Sequence, residues 1–87
     1  MEITKTIKSA LKEKKVVIGY KKVLRQIKTG NPEIIIYANN LPKEKLEELE
    51  HNTKIGNIKT YKFSKDSIEL GLVCKKPFSV SVLAIKR

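Results

Sequence analysis

The chain has 87 residues, of which 40% are hydrophobic, enough for one modest core and too many for a disordered tail. It contains no apolar run of the roughly 18–20 residues that would cross a bilayer, and its one cysteine excludes an internal disulfide. We therefore expect a single intracellular domain over residues 1–87 that does not enter a membrane.

The net charge of +10 is distributed unevenly along the chain. Residues 1–30 carry nine basic and two acidic side chains, residues 31–70 carry six and seven, and residues 71–87 carry four and none. A surface that is merely rich in charge would bring both signs in similar number, so the imbalance favours a polyanionic partner. If the two ends meet in space, they form one basic face opposite a neutral one.

Helices and strands are predicted to alternate from the N-terminus. Isoleucines, Ala10 and Leu11 recur at helical spacing and predict a first helix over about residues 3–14. Residues 16–18 form a β-branched run typical of a strand covered on both faces, and Gly19 ends it. A second helix is predicted to stop at Gly30 and Asn31, before a second buried strand over residues 34–38.

The second half repeats the alternation. Asn39 and Asn40 are expected to cap a third helix, which Gly56 ends. A third strand follows, marked by Ile58, Tyr61 and Phe63. Asp66 and Glu69 resemble a capping box that opens a fourth helix, and residues 78–85 predict the last strand. The order α-β-α-β-α-β-α-β predicts a layered α/β domain with helices on both faces of a small sheet.

The residues argue against an enzyme, a metal site and a cofactor. His51 is the only histidine and lies in a charged helix, where a solvated role is the more common one. Cys74 follows apolar residues, which favours a structural thiol over a nucleophile. The sequence has no glycine-rich phosphate loop and no cluster of residues at metal-ligand spacing.

Three segments could instead bind a nucleic acid. Residues 19–22 turn from a strand into a helix. The free N–H groups, the glycine and the two lysines of this turn suit an anion. The alternative is that these residues serve only a tight turn. Asn39 and Asn40 also follow a strand; one can cap a helix while the other reads a base. These two segments should be neighbours if the first two strands are parallel and adjacent. In residues 73–78, Phe78 could stack on a base or start a strand as a core aromatic.

Four stretches of the sequence carry a resemblance to a known family: IGYKKVLRQIKTG, IIIYANN, IELG and KKPFSVSVLAI. In order and spacing they resemble the L30e family of archaeal and eukaryotic large-subunit ribosomal proteins, within the wider L7Ae group. The resemblance covers nearly the whole chain. It implies a three-layer α/β/α sandwich with a four-stranded mixed sheet. It also implies binding to a kink-turn, an RNA helix–internal loop–helix that bends sharply at tandem sheared G·A pairs.

By this resemblance, Gly19, Lys21 and Lys22 would enter the opened groove of the RNA, and Asn39 would bond a base. The loop up to Phe78 would pack against an unstacked base, with Val80 adding apolar contact. The expected RNA-binding residues are Gly19, Tyr20, Lys21, Lys22, Asn39, Asn40, Val73, Lys75, Lys76, Phe78 and Val80.

The partners expected from the resemblance are ribosomal RNA and other ribosomal proteins, for a cytoplasmic protein that is monomeric when free. The chain lacks the Asn-Glu signature of the L7Ae relatives at residues 19–22, which favours the ribosomal member. Cys74 to Lys76 stand where a glycine-containing stretch is common in the family. The alternatives are a stand-alone kink-turn protein of RNA modification or processing particles, and a basic protein that binds nucleic acid without specificity.

Overall fold

The computed structural model describes residues 2–29 and 32–86. In chain order the elements are α1 (Ile3–Lys12), β1 (Val16–Ile18), α2 (Tyr20–Thr29), β2 (Pro32–Tyr37), α3 (Lys43–Gly56), β3 (Lys59–Lys62), α4 (Ser67–Val73) and β4 (Val82–Lys86). The predicted alternation is confirmed. Gly30 and Asn31, which are predicted to end the second helix, lie outside the described residues.

The four strands form one mixed sheet in the order β1-β4-β2-β3. The last strand, β4, is antiparallel to both of its neighbours, and β2 is parallel to β3. The first two strands are not adjacent, because β4 lies between them. They nevertheless run in the same direction, since each is antiparallel to β4, so their carboxyl ends lie at the same end of the sheet.

The helices cover both faces of the sheet, as the uninterrupted apolar runs predict. Ile34 and Ile36 of β2 pack with buried residues of α1 and α4 in a first core. Ile35, between them, points to the other face and packs with α2 and α3 in a second core. Successive side chains of a strand point to opposite faces, so a run of three isoleucines requires cover on both. The three-layer α/β/α sandwich is confirmed.

Two predicted helix caps have different outcomes. The Asp66 carboxylate accepts a hydrogen bond from the Glu69 N–H (3.0 Å), so the predicted cap of α4 is confirmed. The prediction that Asn39 or Asn40 caps the third helix is wrong, because α3 begins only at Lys43, with Pro42 in the capping position. The two asparagines are thereby left for other contacts.

The final strand is shorter than predicted because residues 78–80 lie against α4 before the chain joins the sheet. The Val80 N–H donates to the Ser67 carbonyl at the start of α4 (2.9 Å). One turn further along α4, the Phe78 carbonyl oxygen lies 2.2 Å from where a Cβ on Gly71 would stand. Regular pairing with β1 and β2 therefore begins only at Val82.

Gly71→Ala should destabilise the protein, because the added methyl group would collide with the Phe78 carbonyl oxygen. Forced overpacking of this kind typically costs about 1–3 kcal/mol, which should lower the midpoint of urea denaturation. Gly56→Ala is the matched control: its methyl group would meet only the Ile58 side chain, at 3.1 Å. If the two variants had the same stability, the close approach of residues 78–79 to α4 would be refuted.

Candidate nucleic-acid interface

Three loops meet at one end of the sheet, and β4 begins between them. The Gly19 N–H donates to the Val82 carbonyl (3.2 Å), and the Ala38 N–H donates to the Ser81 carbonyl (2.8 Å). The end of β1 therefore lies on one side of Ser81 and Val82, and the end of β2 on the other. Residues 19–22 and Asn39 share this end of the sheet, and the start of β4 separates them.

A groove of about 730 Å³ opens where β1, the first turns of α2 and residues 78–81 come together. Its charged side chains are all basic: Lys22 and Arg25 of α2, Lys45 of α3, and Lys76 of the loop before β4. None of the residues that line the groove is acidic. Four cations around one concave surface produce a positive potential that suits a polyanion.

Gly19 places open main chain at the mouth of this groove. Its φ of +110° is one that residues with a side chain rarely adopt, and no atom lies within 4 Å of where its Cβ would be. The Gly19 carbonyl accepts the Val23 N–H (2.9 Å), and the first turn of α2 contains no acidic residue. The leading N–H groups of α2 and its positive dipole end are thus available to an anion.

Tyr20 lines the groove, but its hydroxyl group is engaged within the protein. The hydroxyl lies 3.1 Å from the Lys45 carbonyl oxygen and also donates to the Glu48 carboxylate. Burial is the main cause that raises the pKa of Tyr20 to about 12, and the hydrogen bond from Tyr20 to Glu48 adds to it. Tyr20 therefore joins α2 to α3. Of the predicted lysines nearby, Lys22 lines the groove, and Lys21 is exposed beside it.

The two asparagines connect the end of β2 to the segment before α4. The Asn39 amide nitrogen donates to the Ser64 carbonyl (3.0 Å). The Asn40 side-chain oxygen accepts the Ser67 N–H (3.0 Å), and its amide nitrogen lies 3.3 Å from the Ser67 hydroxyl oxygen. Both asparagines are exposed; Asn40 is held at the start of α4 by two contacts, and Asn39 is fixed in orientation by one bond. Neither asparagine lines the groove.

The loop after α4 presents one aromatic ring to solvent. Phe78 is 56% exposed, which rules out the alternative that it is a core aromatic at the start of a strand. Val80 is only 2% exposed, so its side chain belongs to the first core and has little surface to offer a base. Val73 is half-buried against the same core. Of the apolar residues predicted for this part of the site, Phe78 is the accessible one.

A left-handed residue turns the chain from α4 towards the groove. Lys75 has a φ of +58°; its N–H donates to the Leu72 carbonyl, and the Lys76 N–H donates to the Gly71 carbonyl, both at 3.0 Å. This pair of bonds is the Schellman arrangement, in which the left-handed position is usually a glycine. Lys75 fills that position here, and the turn brings Lys76 to the groove.

Two basic residues of the groove are absent from the sequence-based prediction. Arg25 could have been found, because it lies one helical turn after Lys21 and Lys22 on the same helix. Lys45 could not, because it stands in a helix dominated by glutamates. It reaches the groove through tertiary packing alone.

The described parts of the chain give no sign of other site chemistry. No cluster of three or more potential metal ligands occurs within residues 2–29 and 32–86. His51 is exposed on α3. None of the helices in those ranges is both long and apolar enough to cross a membrane.

Comparison with known proteins places the whole chain in one family. The sequence model described as "Ribosomal protein L7Ae/L30e/S12e/Gadd45 family" matches residues 1–87. A relative named large ribosomal subunit protein eL30 from Methanosphaera stadtmanae is 41% identical over 99% of this chain and 88% of its own length. Its namesake from Methanocaldococcus jannaschii is 35% identical over 98% of this chain and 77% of its own.

Solved structures confirm the fold. A Giardia lamblia 15.5 kD RNA-binding protein matches with a TM-score of 0.89 at 19% identity, over 98% of this chain and 71% of that one. A Bacillus halodurans protein of unknown function matches with a TM-score of 0.86 at 14% identity, over 97% and 83%. At these identities the likeness concerns the fold alone.

Cys74 should react slowly with a disulfide reagent such as dithionitrobenzoate in the native protein. The thiol is 2% exposed, and burial raises its pKa to about 11, against a smaller lowering effect of Lys76. Since the thiolate is the nucleophile, modification at pH 8 should be at least about a hundredfold slower than in urea-unfolded protein. Rates within a few-fold of each other would show that Cys74 is not a buried structural thiol.

Proposed function

Because the chain belongs to the ribosomal protein L7Ae/L30e/S12e/Gadd45 family, we propose that it is an RNA-binding component of the large ribosomal subunit whose target is a kink-turn. Its relatives are named as ribosomal proteins, so it is not an enzyme. The observation that carries the proposal is the basic groove, with an open glycine at its mouth and an exposed aromatic ring at its rim.

A bent RNA with unstacked bases suits this surface better than a regular duplex does. In A-form RNA the major groove, which displays the O6 and N7 atoms of guanine, is deep and narrow, and side chains cannot read it. A sharp kink opens that groove and turns a base outward. The N-terminus of α2, with Gly19 and Lys22, suits the opened groove of the RNA. Phe78 offers a face on which a base of the RNA can stack.

Within this proposal the two asparagines have different roles. Asn40 maintains the loop by its bonds to Ser67, whereas the exposed Asn39 meets a base edge near the kink. Lys21, Lys75 and Lys76 contribute charge towards the flanking phosphates. The expected setting is the ribosome in the cytoplasm, with ribosomal RNA and other ribosomal proteins as partners and a monomer in the free state.

The proposal is tested by binding to a kink-turn RNA and to the same RNA with its G·A pairs replaced by Watson–Crick pairs. At one fixed salt concentration the phosphate attraction is common to both RNAs, so any difference in affinity reports recognition of the kink. The kinked RNA should bind at least about a hundredfold more tightly. Fluorescence anisotropy with labelled RNA measures both dissociation constants. Equal affinities would reduce the protein to a non-specific binder of nucleic acid.

Asn39→Ala should weaken binding to the kink-turn RNA by about 1–3 kcal/mol, the usual effect of losing a base contact, and should reduce discrimination against the paired RNA. Lys54→Ala, near the far end of α3, is the control and should bind as the wild type does. The role given to Asn39 fails if its loss weakens both RNAs equally. A tenfold loss in Lys54→Ala would mean that the opposite face binds.

A further inference from the structure

The acidic helix α3 contributes a single charged side chain to the groove, and that side chain is a lysine. Glutamates stand at residues 44, 47, 48 and 50 of this helix. None of them lines the groove, whereas Lys45 does. The exposed Lys43, two residues earlier, lies outside the groove and within 4.0 Å of the Glu47 carboxylate. In the described residues, Lys45 has no carboxylate within ion-pair distance.

The ring of Tyr20 lies beside the Lys45 head group, and its hydroxyl oxygen lies close to the Lys45 main chain. The Lys45 Nζ lies 5.3 Å from the centre of the Tyr20 ring, a distance at which the face of an aromatic ring attracts a cation. The Tyr20 hydroxyl oxygen lies 3.1 Å from the Lys45 main-chain carbonyl oxygen. Because the single hydroxyl proton is donated to the Glu48 carboxylate, the face of the ring is the contact that holds the Lys45 head group.

The same hydroxyl group bonds a carboxylate of α3. Tyr20 donates to the Glu48 carboxylate, one turn after Lys45 on α3. A tyrosine hydroxyl is protonated at neutral pH, and burial raises the pKa of Tyr20 further, to about 12, so the hydroxyl is a donor here. The Glu48 carboxylate is thereby bonded at the α2–α3 contact, and among the described residues the Lys45 ammonium group, beside the Tyr20 ring, has no ion pair.

We propose that Lys45 contacts a phosphate of the bound RNA and that Tyr20 is the residue that positions it. This inference rests on the proposed function, because it names a further contact in the same groove. A lysine with no carboxylate partner, among three other cations and at the N-terminus of α2, has a phosphate as its natural ligand. The interface thus extends onto a helix whose overall charge is negative.

The first experiment compares Lys45→Ala with Lys43→Ala, which makes the same charge change on the same helix outside the groove. Binding to the kink-turn RNA is measured across a range of salt concentrations. Lys45→Ala should weaken binding several-fold at low salt and reduce the slope of log K against log salt by about 0.7–0.9, the value for one phosphate contact. Lys43→Ala should keep the wild-type slope, and Lys45→Arg should restore most of the affinity.

The second experiment asks whether Tyr20 acts through Lys45. Tyr20→Leu removes both the ring and the hydroxyl group, and it should lower the affinity and the salt slope as Lys45→Ala does. The double variant should bind no more weakly than Lys45→Ala alone, because the two changes remove the same contact. Additive losses would overturn the positioning role, provided that thermal denaturation shows every variant to be folded at the assay temperature.

The experiments distinguish a failure of the proposed function from a failure of the role given to Lys45. If the wild-type protein does not prefer the kinked RNA, the proposed function is wrong, whatever the variants do. If it does prefer the kinked RNA, but Lys45→Ala has the same affinity and salt slope as Lys43→Ala, the role of Lys45 is wrong and the kink-turn proposal stands.

Discussion

Two main-chain hydrogen bonds at the start of β4 determine where every part of the candidate interface lies. The N–H groups of Gly19 and Ala38, at the ends of β1 and β2, donate to the adjacent carbonyls of Val82 and Ser81. The loop that precedes β4 therefore arrives between the other two loops. The groove exists because the last strand of the chain pairs with β1, which brings residues 78–81 beside the end of β1 and the start of α2.

The short helix α4 supports that loop. Gly71 allows the main chain at Phe78 to lie directly on the helix, and the Val80 N–H bonds to the Ser67 carbonyl where the helix begins. These buried contacts leave the Phe78 ring as the exposed part of a fixed segment. An aromatic ring held in this way loses little conformational freedom on binding, which favours affinity without further contacts.

The sequence predicts the features that are determined by residues close together in the chain, and it does not predict those that are determined by distant residues. The isoleucine run of β2 and the Asp66 cap are local signals, and both are found where expected. The partners of Asn39 and Asn40 lie 25 and 27 residues away, so nothing near the asparagines in sequence distinguishes a helix cap from a loop link. The order of the strands and the contribution of Lys45 to the groove are likewise consequences of the assembled sheet and its packed helices.

The uneven charge links the stability of this protein to its partner. The ion pairs of the described residues are exposed and join near neighbours in sequence, and such pairs add little stability. Four cations lining one groove repel each other in the free protein, and a net charge far from zero disfavours the compact state. A polyanion that enters the groove removes this repulsion while it gains the attraction. It stabilises the fold by as much as its affinity for the folded chain exceeds its affinity for the unfolded one. The charges that favour binding are therefore the ones that make the free protein less stable.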